Sequence, residues 1–284
     1  MKKIFVWLAA LTLLGLAGCS TKETAPEKPV SSELGGKKIN AYYYAPYDDI
    51  SNVEAKLKLA GFDIVATYPA TKESESIIIT NDALKDAADK PGRGFAAILR
   101  VLVDNKNHRV AVTNPVYFGK AFLQEDYDPA LGTRLTEALG VALGELTVST
   151  DDYEYDGLAD YRFMIGMPTY NNTYLLGEGD NASLLAKVDE YKNGENVVFA
   201  LPLGEGRTLV GFKLDEGTEK FVAKIGTQNA ELLPYTILIE DGKATALKVE
   251  YYIAISYPLL SMGQFMTIAT LPGAVEKELE RPFR

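Results

Sequence analysis

"VAVTNPVYFGKAF", Val110 to Phe122, and "YIAISYPLLSMGQF", Tyr252 to Phe265, say nearly the same thing twice in one chain. Aligned without gaps, Ala111 falls on Ala254, Pro115 on Pro258, Phe122 on Phe265 and Pro129 on Pro272, each pair 143 positions apart. Upstream the correspondence continues at smaller offsets: "VLVD" (Val101 to Asp104) meets "ILIE" (Ile237 to Glu240) at 136, and Tyr68-Pro69 meets Leu201-Pro202 at 133. A growing offset implies longer loops in the second copy. "EDGKATALKVEYYIAI", with Asp241-Gly242 as turn residues between two extended runs, reads as an inserted hairpin. The sequence therefore predicts two copies of one module.

Working outward, the local patterns agree. In the first copy Tyr42 to Ala45 is extended, and Ser51 or Asn52 caps a helix whose Val53, Leu57 and Ala60 share one side until Gly61 ends it. Strands are predicted at 64–68 and 77–80, a small helix at "DALKDAAD", strands at 95–103 and 109–113, and a last helix from Pro129 carrying Leu131, Leu135 and Leu139. In the second copy 163–167 is extended, and Asp180 or Asn181 caps a helix with Leu184, Val188 and Tyr191, ended by Gly194. Strands at 197–201, 209–214, 235–240 and 244–256 then precede a helix from Pro272 with Val275 and Leu279.

The N-terminal residues have a separate logic. Lys2 and Lys3, an apolar Ile4–Leu16 too short to span a bilayer, and then Leu16-Ala17-Gly18-Cys19 resemble the lipobox of bacterial lipoproteins. That resemblance implies a signal peptide at 1–18, cleavage before Cys19, and lipidation of Cys19 with fatty acyl groups such as palmitate. Ser20 follows in place of an aspartate, which points to the outer membrane, facing the periplasm. Residues 19–38, rich in Thr, Glu, Lys, Pro, Ser and Gly, read as a tether without an apolar face. The modules are then expected at 39–148 and 162–284, joined by an acidic linker at 149–161.

Composition removes several function classes. Cys19 is the only cysteine, so its lipidation leaves no thiol for a disulfide, a thiolate nucleophile or a Cys-based zinc site. Loss of Lys2 and Lys3 takes the formal charge from −10 to about −12, which argues against a groove for nucleic acid and against a basic membrane-binding face.

"AGFDIV", "IIITNDALKDAADKPGRGF", "AAILRVLVD" and "RVAVTNP", in order from Ala60 to Pro115, resemble the bacterial family catalogued as domain of unknown function 302. The resemblance covers roughly 38–146; members often have Asn-Pro where this chain has Asn81-Asp82. It implies an α+β fold for both halves: two tandem TATA-binding-protein-like modules, each a curved, mainly antiparallel sheet backed by helices. It implies no established activity.

Four motifs were weighed as chemistry. His108, the single histidine, sits in the turn "DNKNHR" and reads as an exposed turn residue rather than a catalytic or haem ligand. "GEGDNA" (Gly177 to Ala182) satisfies a dinucleotide-binding pattern, but in an antiparallel context it reads as a turn with a helix cap. "DYEYDGLAD" (Asp152 to Asp160) begins like a calcium loop, yet has Phe163 where the bidentate glutamate belongs, and reads as a solvated linker. Met164 with Met167 and Met262 with Met266 offer soft thioethers for copper(I), against which core packing is the preferred reading.

No catalytic constellation is visible, and no cofactor is expected. The expected function is a non-enzymatic envelope lipoprotein holding a small apolar or aromatic molecule between or within its modules, near Asn81, Asn114, Pro115, Tyr117, Phe122, Tyr257, Pro258 and Phe265. The alternative is a structural or accessory subunit presenting a sheet face to another envelope protein.

Overall fold

Two antiparallel sheets with the same strand order organise the computed structural model, which describes residues 34–284. The first half comprises β1 (Lys38–Asn40), β2 (Tyr42–Ala45), α1 (Ile50–Leu59), β3 (Asp63–Thr71), β4 (Ser74–Thr80), α2 (Asp82–Ala88), β5 (Leu99–Asp104), β6 (Arg109–Thr113), α3 (Pro115–Leu123) and α4 (Pro129–Leu143). Short strands β7 (Thr147–Val148) and β8 (Asp152–Glu154) lead across. The second half comprises β9 (Thr173–Glu178), α5 (Asn181–Glu190), β10 (Val197–Pro202), β11 (Thr208–Phe212), α6 (Glu216–Glu219), α7 (Phe221–Ile225), β12 (Tyr235–Glu240), β13 (Lys243–Leu247), α8 (Val249–Ser256), α9 (Met262–Met266) and α10 (Leu271–Glu280). The fold class is α+β.

The first sheet runs β3-β4-β5-β6-β2-β7 and the second β10-β11-β12-β13-β9. Apart from β7, each strand of one sheet has its counterpart at the same place in the other. The first helix of each half starts in the same way: Asp49 accepts from the Asn52 N–H, and Asp180 from the Ser183 N–H. Each buries two of the three residues that the periodicity singles out, Val53 and Leu57 in α1, Leu184 and Val188 in α5; the third, Ala60 or Tyr191, is the half-buried residue just past the helix end. Gly61 follows the end of α1 at φ +88°, backbone that L side chains adopt with strain, whereas α5 stops at Glu190, before the expected Gly194: Lys192 and Asn193 already take positive φ, and Gly194 comes after them at +78°.

Residues 1–33, on which the expected signal peptide, the expected lipidation at Cys19 and most of the expected tether fall, lie outside the described residues. Within 34–284 several expectations need correction. The cap of α1 is Asp49, not Ser51 or Asn52. The segment 163–167 is not a strand: Gly166 at φ +86° and Pro168 bend it into a loop, and the strand is β9, further on. The run 244–256 divides into strand β13 and helix α8, whose residues 249 and 251–256 are buried all round. There the packing environment overrides the β-propensity of "EYYIAI". Helix α3 went unpredicted although Asn114-Pro115 is a good helix start.

These shifts also correct the repeat register. At an offset of 143, strand residue Ala111 would pair with helical Ala254. The register that matches element to element is 134, carrying β6 onto β13 and α3 onto α8. No hairpin is inserted before β13. The extra length lies instead between α8 and α10, after which Pro129 and Pro272 again match at 143.

The acidic segment 149–161 is likewise no solvated linker. β8 pairs with β1, Lys38 meets Asp152 at 2.9 Å, and the Asp156 carboxylate accepts from the Gly36 N–H. Tyr155, Leu158 and Tyr161 are buried and join the core, while Glu154, Asp156 and Asp160 are exposed and Asp151 and Asp152 half-buried.

Candidate functional site

The two halves meet along a seam built reciprocally. Tyr117 of α3 donates to the Ile255 carbonyl of α8 at 2.7 Å, and Tyr251 of α8 donates to the Ala121 carbonyl of α3 at 3.5 Å. Both tyrosines and both acceptors are 134 positions apart, so each half performs on the other what is performed on it, the signature of a two-fold interface. The segments preceding β5 and β12 exchange too: residues 94–97 pack on β11 and β12, and residues 227–232 on β3, β4 and β5. Approach is close enough at Gly94 that a Cβ there would lie 2.3 Å from Leu238 Cδ1.

Aromatic rings fill this seam. Phe122 stacks on Tyr170 at 5.6 Å, Tyr42 on Tyr257 at 5.4 Å, and Tyr235 meets Tyr252 edge-on at 5.5 Å. Burial raises the phenol pKa values of Tyr42, Tyr117, Tyr251 and Tyr257, which keeps them protonated as donors. Arg100 reaches across to the Pro234 carbonyl at 3.1 Å and lies over the Tyr252 ring. Beside it Glu231 is buried, and burial pushes its carboxyl well above the ordinary range while Arg109 and Arg100 oppose the rise. Glu231 Oε1, Arg100 Nε and Ser256 Oγ are buried without a hydrogen-bond partner. Arg100, Glu231 and Ser256 line a cavity of about 10 Å³, room for a single water.

Most of the sequence-predicted binding residues lie in or beside this packed region, and they are structural. Asn114 caps α3, accepting from the Val116 N–H at 2.9 Å and donating to the Asn40 carbonyl at 2.7 Å. Pro115 is the buried first residue of that helix. Tyr117, Phe122 and Tyr257 are buried rings of the seam, with Tyr257 donating to the Gln228 carbonyl. Pro258 is half-buried in the following turn, and Phe265 packs on Phe163 at 5.2 Å. Asn81 is remote from them, capping α2 through the Leu84 N–H at 2.9 Å. The space expected for a ligand among these residues is occupied by their own rings.

The open space lies elsewhere between the halves. A cleft of about 780 Å³ runs between the end of edge strand β3 and helices α6 and α7. Pro69, Ala70, Val222 and Ala223 line it, and its rim is of mixed charge: Lys72, Lys106, Lys213 and Lys220 with Glu73 and Glu216, of which Lys106 pairs with Glu73 at 3.4 Å and Lys220 with Glu216 at 3.5 Å. Tyr68 bridges the walls, donating to Glu219 Oε1 at 2.6 Å. Burial raises the Glu219 carboxyl, against the Tyr68 hydrogen bond, which lowers it. The volume belongs to the class of small-molecule sites, and the mixture of apolar wall, one hydroxyl–carboxyl pair and a rim of mixed charge suits an apolar body with a polar end. One signal in the sequence could have pointed here: Pro69, next after the strand expected at 64–68, lies inside the observed β3, and a proline within a strand marks an edge.

The remaining motifs are placed as follows. His108 is exposed at φ 47°, its ring edge against Tyr47 at 4.8 Å. In "GEGDNA", β9 pairs antiparallel with β13, Asp180 caps α5, and Asn181 bridges the Gly206 carbonyl and the Gly242 N–H. Core packing fails for three methionines: Met164, Met262 and Met266 are 50 %, 37 % and 61 % exposed, because they sit on a loop and a short helix standing off the core. Met167 is partly buried. Among the described residues no group of three or more His, Cys, Asp or Glu could hold a metal ion, and no helix is long and apolar enough to cross a membrane. No family model matches the chain, and no curated protein or solved structure is significantly similar to it.

Proposed function

We propose that the chain is a cell-envelope lipoprotein whose two halves, tandem TATA-binding-protein-like modules related to domain of unknown function 302, bind a small apolar or aromatic molecule in the cleft between β3 and α6–α7. The observation that carries this reading is the cleft of about 780 Å³ walled by both halves and bridged by the 2.6 Å Tyr68–Glu219 hydrogen bond. Anchorage through Cys19 to the outer membrane, facing the periplasm, follows from the Leu16–Cys19 motif. Binding is non-enzymatic: the pair Tyr68–Glu219 orients the polar end of a ligand, and Pro69, Ala70, Val222 and Ala223 desolvate its body.

The test uses 8-anilinonaphthalene-1-sulfonate, whose aromatic rings suit the apolar wall and whose sulfonate suits the lysines of the rim. It is expected to bind at one saturable site, and Ala70→Trp, which fills the cleft from β3, is expected to weaken binding by about tenfold. Equal affinity in wild type and Ala70→Trp would remove the cleft from consideration. Native mass spectrometry of protein taken from its own envelope then reads the mass of the natural occupant.

A further inference from the structure

A second surface is built differently from both the seam and the cleft. The chain has no Asp, Glu, Lys or Arg from 163 to 177 or from 251 to 275, against 24 % charged residues overall. Phe163 and Phe265, 5.2 Å apart, bring parts of these two runs together. Around that contact stand exposed apolar side chains: Ile165 at the loop tip is 98 % exposed, Met266 61 %, Leu259 59 % and Met164 50 %. The patch is not part of the repeated architecture. The α3–α4 connection spans residues 124–128, whereas the corresponding α8–α10 connection spans 257–270 and contains α9.

The position of the patch relative to the start of the globule names its occupant. The Leu259 N–H lies near enough to the Asp151 carboxyl to lower its pKa against the rise from burial, and the Asp151 carbonyl accepts from the Ala41 N–H at 2.7 Å. Leu259 therefore lies beside β1 and β8, where the chain arrives from the residue expected to be lipidated. The fifteen positions from Cys19 to Leu34 reach at most about 50 Å, so an acylated Cys19 holds this region near a bilayer. The loop tip is exposed instead of forming a groove, as insertion among fluid acyl chains requires.

We infer that the Met164–Ile165 loop and α9, with Leu259, insert shallowly into the membrane that carries the anchor, so that the globule lies against the bilayer in a fixed orientation. This rests on the lipoprotein reading for its proximity argument but not for its chemistry. Because the inserting surface is uncharged, the contact is insensitive to salt and independent of anionic lipid.

The full-length chain offers a clean optical test, since its only tryptophan is Trp7, in the leader. Trp7→Phe chains carrying either Ile165→Trp or Val141→Trp are mixed with phosphatidylcholine vesicles brominated on the acyl chains. Val141 is 81 % exposed on α4, in the other half, and serves as the control. Emission from the 165 reporter is expected to be quenched at least about twofold more than from the 141 reporter, unchanged by added salt and reduced by Met266→Asp. Vesicle flotation and the mass of the N-terminal peptide report the anchor separately. Flotation with no preferential quenching overturns the insertion while sparing the anchor. An unacylated N-terminus ends the anchor reading, and at high vesicle concentration the 165 reporter still decides whether the patch inserts. Absent quenching with a concentration-dependent doubling of mass would assign the patch to a second copy instead.

Discussion

The seam at Tyr117 and Tyr251 and the cleft at Tyr68 and Glu219 lie between the same two halves, yet one is sealed and the other open. Where the halves match element for element, helices α3 and α8 face each other and each contributes rings that fill the space the other leaves, down to a cavity of about 10 Å³. Where they differ, the small helix α2 of one half corresponds to the pair α6 and α7 in the other, and Pro69, Ala70 and Ala223 are too small to close the gap. The ring-lined seam holds the molecule together, and the space for a ligand appears where the repeat is broken.

Truncating the seam is the strongest way to break that contrast. Tyr117→Ala and Tyr251→Ala each remove a fully buried ring and are expected to destabilise the protein by about 3–5 kcal/mol in urea unfolding. Tyr117→Phe removes only the hydroxyl from a 2.7 Å bond and costs about 1 kcal/mol, more than Tyr251→Phe with its 3.5 Å contact. If the halves are one cooperative unit, each variant shows a single transition. Two transitions in the wild type would show that the seam does not couple them.

The buried carboxyl of Glu231 separates the regions by pH. Its folded pKa is raised above the ordinary 4.5, so the native state binds its proton more tightly than the unfolded chain does. Stability from this group is therefore full below the unfolded pKa and declines as pH rises through the raised folded value, with a slope approaching about 1.4 kcal/mol per pH unit. Glu231→Gln, which cannot titrate, is expected to gain on the wild type steadily from pH 4.5 upward. Differencing the two chains cancels the opposite trend from Asp126 and Asp215, whose pKa values are lowered by their Lys90 and Arg281 partners. A constant difference across pH would mean that Glu231 is ionised in the folded state, held by Arg100 and Arg109.

Periodicity made the repeated frame legible. Val53 and Leu57, and Leu184 and Val188, announced their helices, and strands 109–113 and 235–240 were read to the residue. What misled was composition without periodicity. In "EYYIAI" the β-branched and aromatic residues that favour a strand lie in a helix buried on every side, and no local signal distinguishes the two environments. The conspicuous Pro, Tyr and Phe residues of the repeated stretch pack on one another in the seam. The cleft draws instead on Lys, Glu, Ala and Thr residues distant in sequence, and of these only Tyr68-Pro69 stood out beforehand.

The smallest expected effects sharpen this last point, because they concern residues that looked like ligand contacts. Asn114→Ala removes a helix cap and the partner of the half-buried Asn40 carbonyl, and is expected to cost about 2 kcal/mol. Asn81→Ala removes only the cap of the half-exposed α2 start, about 1 kcal/mol. Neither touches the cleft, so both variants should bind the anilinonaphthalene sulfonate probe with wild-type affinity while their unfolding midpoints fall in that order. Weakened probe binding in Asn114→Ala alone, at unchanged native secondary structure by circular dichroism, would return the binding site to the seam. That outcome would require the seam to open in solution, and its rings, now packed on one another, to exchange those contacts for a ligand.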